Sequence, residues 1–297
     1  MMSGKFIDLH VHTNYSDGFD SIEEVLKKAR ENNVGVISLV EHYNVSSYKE
    51  ACQLAGDDII VIPGIEIGAD MSKYNVAGQK NKHVCHMLGY YISKDICKLL
   101  DQYELDRYEC VTTTIELLNS QGIKITLEDV IANARDKKSI GRFDIALTLK
   151  ALGYSKTATQ AYGEYLDHNG KSYVQRKKLE PEELVKAIRE YGGVPVLAHP
   201  KSLRLPKEEL DVFIEKLVSA GLAGIEVYNP NNSEAKRKEL LEYCQKYDLI
   251  PTCGSDYHGG NRKPVIEIGK GINGNLQIDD MSMVKRLERK RILWMNS

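Results

Sequence analysis

Two histidines flank a single valine, with an aspartate five residues further on, in the stretch FIDLHVHTNYSDG at residues 6–18. On a strand, side chains at i and i+2 share a face, so His10 and His12 can both reach one ion, with Asp17 in the loop that follows. The same residue types recur where other apolar runs end. His42 follows VGVISLV, Glu66 lies near the end of IIVIPGIEI, and His86 sits in HVCHMLGYY. His199 ends VPVLAH, and Asp256 and His258 end IPTCGSDYH. Imidazole and carboxylate without thiolate favour Mn²⁺, Fe²⁺ or Zn²⁺ over Mg²⁺, Ca²⁺ or a cysteine-bound structural zinc. One carboxylate, such as Glu66, can bridge two ions, and that separates a cluster from a single site.

The elements that must position these groups read as alternating strands and helices. KFIDLHVH is a strand pattern, and SIEEVLKKAREN follows as a helix with Ser21 and Glu24 as its capping box. VGVISLV has the continuous apolar texture of a strand buried on both faces, and DIIVIPGIEIG and VCHMLGYYI are further strands. From 95 to 175 the texture turns helical, with few strands. The alternation then resumes: helix PEELVKAIREYG with Pro181 early, strand VPVLAHP, helix KEELDVFIEKLVSAG, strand AGIEVY, helix SEAKRKELLEYCQKYD and strand IPTCGSD. Repeated β–α units predict a mostly parallel sheet, open or closed into a barrel. The predicted organisation is a barrel domain over 1–94 and 176–297 carrying the metal site, and a helical insertion over 95–175. In such folds the strand ends form one rim where functional sites are built.

Each residue has a plainer reading. A lone histidine near a strand end is commonly a hydrogen-bonded rim residue. Independent placement would not gather so many on one rim, so the set is read together. His83 and His168 fall outside the pattern, and His83 reads as solvated. Glu41, beside His42, reads as a structural acid or one that supports a ligand. Glu226 in GIEVY reads as structural, and Cys85 and Cys253 as small buried hydrophobes.

Composition bounds the function classes. The 297 residues are 42% hydrophobic and 28% charged, with a net charge of −2. No global positive field exists to hold long duplex nucleic acid, whereas a small phosphorylated substrate needs only a local basic pocket. The six cysteines form no C-x-x-C pair, the N-terminus lacks a signal-peptide core, and no apolar run reaches the roughly 18 residues of a membrane span. A cytoplasmic setting without a membrane partner is the expectation.

At these residues the chain resembles the polymerase-and-histidinol-phosphatase (PHP) family. The matching segments are DLHVHTNYSDG, VEH, PGIEI, HMLGY, LAHP and GSDYHG, in that order, between residues 8 and 259. The resemblance implies an α/β fold, a distorted seven-stranded barrel with a cluster of three ions at its rim. Carried over by motif, the ligands would be His10, His12, Asp17, His42, Glu66, His86, His199, Asp256 and His258. His10, His12, Glu66 and Asp256 would hold one ion, Glu66, His86 and His199 the second, and Asp17, His42 and His258 the third.

The helical segment resembles the insertion of nucleoside 3′,5′-bisphosphate phosphatases and related 5′-to-3′ exonucleases on short RNA, where it would cap the site. That branch carries Gly-Arg-Pro-His-Ile-Ala, and here the stretch reads Gly141-Arg142-Phe143-Asp144-Ile145-Ala146. Arg142 remains as a phosphate clamp. Asp144 replaces a histidine where substrate is expected, and would repel a phosphate unless paired or bound to a cation. Glu41 stands in VEH where the family has a shorter acid.

The expected reaction is hydrolysis of a phosphomonoester of a small nucleotide by a hydroxide bridging the ions. Glu66, Asp17, His258 and Arg142 would carry it. Arg142, Arg204, Arg176 and Asp144 are the candidate substrate contacts, the ordinary alternative for Arg204 and Arg176 being a solvated charge. Competing readings are a histidinol-phosphate phosphatase, a 5′-to-3′ exonuclease on short oligonucleotides, and a non-catalytic metal-stabilised module. The last predicts missing ligands, and all nine positions are filled.

Overall fold

Val34–Leu39 is buried at every position, as an apolar run must be when a core lies on one face and helices on the other. It is one of seven strands in a computed structural model that describes residues 4–74, 83–134, 140–167, 169–175, 177–260 and 265–295. The strands are β1 (Phe6–Val11), β2 (Val34–Leu39), β3 (Ile60–Gly68), β4 (His86–Tyr90), β5 (Val194–Leu197), β6 (Gly224–Tyr228) and β7 (Ile250–Cys253). They form one sheet in sequence order. The helices are α1 (Ile22–Glu31), α2 (Ser47–Ala55), α3 (Cys97–Ser120), α4 (Leu127–Asn133), α5 (Arg142–Ala151), α6 (Ala158–Ala161), α7 (Pro181–Glu190), α8 (Lys207–Ala220), α9 (Glu234–Tyr247) and α10 (Met281–Met295). Among the described residues no helix is long and apolar enough to cross a membrane.

The chain divides into two compact units, Met1–Cys97 with Leu179–Ser297, and Lys98–Lys178. In the first, the sheet curls. Ile7, Val36, Ile62, Leu88, Val196 and Cys253, from β1 to β5 and β7, share one buried cluster with Val284 and Leu287 of α10, which a flat sheet could not allow. The ends approach beyond β7, where Val11 bridges Tyr257 and His12 N–H donates to the Tyr257 carbonyl at 2.8 Å. Outside, Ile22, Val25, Leu26 and Ala29 of α1 pack with Ile37 and Leu39 of β2. Each such aliphatic side chain stabilises by roughly 1.5–3 kcal/mol. The Ser21–Glu24 capping box forms as predicted, the hydroxyl accepting from Glu24 N and the carboxylate from Ser21 N.

The sheet is parallel except at β4, which runs antiparallel to both β3 and β5. Parallel neighbours need a crossover, usually a helix. Among the described residues, none lies between β3 and β4, so the chain turns back. This reversal matters for the rim. His86 begins β4 and pairs with Gly68 at the end of β3, so it reaches the rim by the start of its strand.

The second unit is helical. Val111, Ile115 and Leu118 of α3 pack with Val130 of α4 and Ile145, Ala146 and Leu149 of α5. Residues Tyr162–Leu166 continue α6 as a wider, π-type turn.

Candidate metal centre

Glu66, 1% exposed, is the point to which the other elements lead. Its Oε1 lies 3.0 Å from His86 Nδ1 and 3.0 Å from His199 Nε2. Its Oε2 lies 3.1 Å from His12 Nε2, 3.4 Å from His10 Nε2 and 3.4 Å from His42 Nδ1. Five imidazoles from four segments, His10 and His12 both coming from β1 and its immediate exit, thus surround one carboxylate. Asp256 Oδ1 lies 3.4 Å from His10 Nε2, 3.6 Å from His12 Nε2 and 3.5 Å from His258 Nδ1. On the open side, Asp17 Oδ1 is 3.2 Å from His258 Nε2 and 3.9 Å from both His12 Nδ1 and His42 Nε2. Burial grades across the cluster: His10 and His12 are 0% exposed, and the Asp17 side chain is 43% exposed.

Local backbone explains the convergence. A parallel bridge joins His42 to Glu66, fixing β2's exit beside β3. His199 and Asp256 hold left-handed backbone angles, φ 25° and 57°, a strain that persists where surrounding structure fixes it. Gly254 permits β7 to approach β1, since a Cβ there would meet His10 Cβ at 2.2 Å.

The donor set fits divalent ions. Two donors each about 2.0–2.1 Å from one ion, at tetrahedral or right angles, stand roughly 3.0–3.4 Å apart, the spacing seen around Glu66. Among the described residues, His10 Nε2 and both ring nitrogens of His12 are buried without a hydrogen-bond partner. Buried polar atoms ordinarily have one. Every ion-pair partner of Glu66, Asp17 and Asp256 among the described residues is a histidine. Without lysine or arginine, buried carboxylates call for a cation. Three groups have donor atoms mutually within 4.8 Å: His12, Asp17, His42 and His258; His10, His12 and Asp256; and His10, Glu66 and His199.

The side chains polarise one another. Burial pushes His12 and His42 down to about 4, against the pull of Glu66, so both are neutral donors at pH 7. Burial also opposes charging His10, but Glu226, Glu66 and Asp256 outweigh it and hold its pKa well above the ordinary value. His199 is raised against burial by Glu66, and His258 against burial by Asp17 and Asp256. Burial opposes ionising Glu66, yet His10, His86 and His42 keep it well below the usual carboxylate range.

Glu41 is buried and accepts from Thr13 N at 3.1 Å and Thr13 Oγ1 at 2.5 Å, and from the Ser16 hydroxyl. It thereby fixes the loop that carries Asp17. His83 Nδ1 contacts the Leu203 carbonyl, and Cys85 and Cys253 are buried. Glu226 carries more than a structural reading gave it. Its Oε1 is 2.9 Å from His10 Nδ1, and its Oε2 accepts from His199 N at 2.6 Å. Asp8, which the sequence reading passed over, accepts from Ser255 N at 2.9 Å and Gly269 N at 2.7 Å, tying β1 to the loop after β7. The available signal for both was an acid inside an otherwise apolar strand.

In the helical unit, the Arg142 guanidinium stacks 4.8 Å from the Tyr173 ring centre. Asp144 accepts from Gly141 N at 2.8 Å and completes a capping box at the start of α5. Arg204, exposed after the turn Pro200–Leu203, lines a cavity of about 250 Å³ with Lys201 and Lys236. Arg176 and His168 lie outside the described residues.

The model of the PHP domain family matches residues 8–192. A phosphoribosyl 1,2-cyclic phosphate 1,2-diphosphodiesterase from Eggerthella lenta is 27% identical, over 85% of this chain and 94% of that protein. The 5′-3′ exoribonuclease Rnm of Escherichia coli is 25% identical over 89% and 88%. A 3′,5′-nucleoside bisphosphate phosphatase of Chromobacterium violaceum is 24% identical over 85% and 87%. A solved structure from Bifidobacterium adolescentis, assigned as a metal-dependent phosphoesterase, superposes with a TM-score of 0.70 at 27% identity, over 96% of each chain.

Proposed function

The chain belongs to the PHP domain family and is a metal-dependent phosphoesterase, and from that premise we propose that it hydrolyses a phosphomonoester of a small nucleotide such as a nucleoside 3′,5′-bisphosphate. The observation that carries the reading is Glu66, with five imidazoles within 3.4 Å and no lysine or arginine partner among the described residues.

His10, His12, Glu66 and Asp256 would hold one ion, Glu66, His86 and His199 a second, and Asp17, His42 and His258 a third, with Mn²⁺, Fe²⁺ or Zn²⁺ as the suited metals. Bound divalent ions supply an activated water and neutralise charge on phosphate oxygens. The chain's own residues do the rest. Glu66 and Asp256 bring compensating negative charge into the buried end. Glu41 holds the Thr13–Asp17 loop in place. The Arg142 guanidinium, held over the Tyr173 ring, would grip phosphate oxygens through its N–H groups. Asp144 is engaged in its helix cap, and Arg204 and Arg176 are the further candidate cations for the phosphate.

A second reading is a phosphodiester substrate, cyclic or oligonucleotide, supported by the Eggerthella and Escherichia relatives. A metal-loaded preparation assayed on adenosine 3′,5′-bisphosphate, histidinol phosphate, a ribose 1,2-cyclic phosphate and 5′-phosphorylated oligomers decides. The reading expects the bisphosphate to have the highest kcat/KM and chelation to abolish turnover. A preference for the cyclic ester or a ladder of oligomer products overturns it in favour of the second.

A further inference from the structure

The Glu226 carboxylate is 0% exposed, in the middle of β6, and it engages two of the proposed ligands in different ways. Oε1 meets the His10 ring at Nδ1, 2.9 Å away, and Oε2 accepts the backbone N–H of His199 at 2.6 Å. Asn229 Nδ2 approaches the same Oε2 at 3.4 Å. We propose that Glu226 is the positioning residue that sets the His10 tautomer and the His199 backbone together, and so controls metal retention at two of the ion sites; this rests on the metal-centre reading above.

The argument is one of donors and acceptors. A carboxylate only accepts, so His10 must place its hydrogen on Nδ1 to meet Oε1. An ion that displaces the other proton then finds the lone pair on Nε2, the atom that is buried without a partner and that faces Glu66 and Asp256 at 3.4 Å. A ligand histidine whose other nitrogen donates to a carboxylate is oriented and made more basic. The second oxygen acts on a neighbouring strand. His199 has a strained backbone, φ 25°, and its N–H would be left without an acceptor there. Both oxygens are needed as acceptors, and this is what glutamine cannot supply. With the amide oxygen on His199 N–H, the amide NH₂ faces His10 Nδ1. His10 then shifts its hydrogen to Nε2, which has no lone pair left for an ion. With the amide reversed, His199 N–H meets a donor.

The test compares wild type with Glu226→Gln, each stripped by chelator and titrated with Mn²⁺ by calorimetry, with circular dichroism as the folding check. The expected result is a folded E226Q protein with Mn²⁺ affinity about 10–100-fold weaker, an unchanged KM, and turnover recovered as Mn²⁺ is raised. A purely structural role would not give recovery by metal. Should E226Q fail to fold, Glu226→Asp keeps the charge one methylene short of both partners, and the same weakening is expected. A folded variant with wild-type Mn²⁺ affinity, or with lost turnover that Mn²⁺ does not restore, overturns the inference. A wild-type protein that binds no Mn²⁺ overturns the metal-centre reading beneath it.

Discussion

The two units bury different kinds of polar group. In the sheet unit the buried polar set includes Asp8, His10, His12, Glu41, Glu66 and Glu226, all charged or ionisable. In the helical unit it is Thr114, Asp144, Thr148 and Ser172. The threonine hydroxyls return to the backbone four residues earlier, at 2.7 and 2.8 Å, and Asp144 caps α5. One unit gathers buried carboxylates and imidazoles into a donor set that suits a cation; the other uses polarity to hold helices. Arg142 stands half-buried against Tyr173, with Phe143 40% exposed beside it. On the proposed reading metal retention belongs to the sheet unit and the Arg142 phosphate contact to the insertion, and substitutions can separate the two.

The largest effect is expected from Glu66→Ala. Losing the carboxylate that five imidazoles surround should empty the centre and lower kcat/KM by at least about 10³-fold, roughly 4 kcal/mol of barrier. Metal content near wild type in that variant would break the comparison on the sheet side. Acidity should act on the same unit. His10, His199 and His258 hold protons more tightly than free imidazole, and an ion must displace them. Metal binding therefore releases protons, and Mn²⁺ affinity should fall from pH 8 to pH 6, by up to about tenfold per pH unit for each proton released. Calorimetry in buffers of different ionisation enthalpy counts those protons, and affinity that is flat or rises on acidification contradicts the account.

Changes in the insertion should leave metal content alone. Arg142→Ala removes a charge-assisted contact of about 1.5–3 kcal/mol, so KM should rise roughly 10–100-fold on a phosphorylated nucleotide while metal per chain stays constant. Loss of metal in this variant would blur the division. The smallest effect is expected from Asp144→Ala. Losing its helix cap should cost about 1 kcal/mol of stability, seen as a lower Tm with kcat/KM unchanged. A change in KM there would return Asp144 to the substrate contacts.

Much of this was legible in the chain because local rules spoke directly. The Ser21–Glu24 box and the i, i+2 spacing of His10 and His12 needed no tertiary information. The direction of β4 had no local signature, since a short apolar strand reads alike either way, and so a mostly parallel sheet was expected throughout. His86 still reached the rim, by the opposite end of its strand. Glu226 was underread because strand periodicity reports burial and is blind to a partner more than two hundred residues away. Asp144 looked anomalous beside Arg142 until Gly141 N appeared as its partner. Side chains whose role is set by a distant neighbour are where reading along the chain runs short.

The most direct test counts metal. Wild-type protein, stripped, reloaded with Mn²⁺ and desalted, should retain more than one ion per chain by elemental analysis, with phosphoesterase turnover rising and falling with that occupancy under chelator titration. Full turnover at zero occupancy would contradict the account outright.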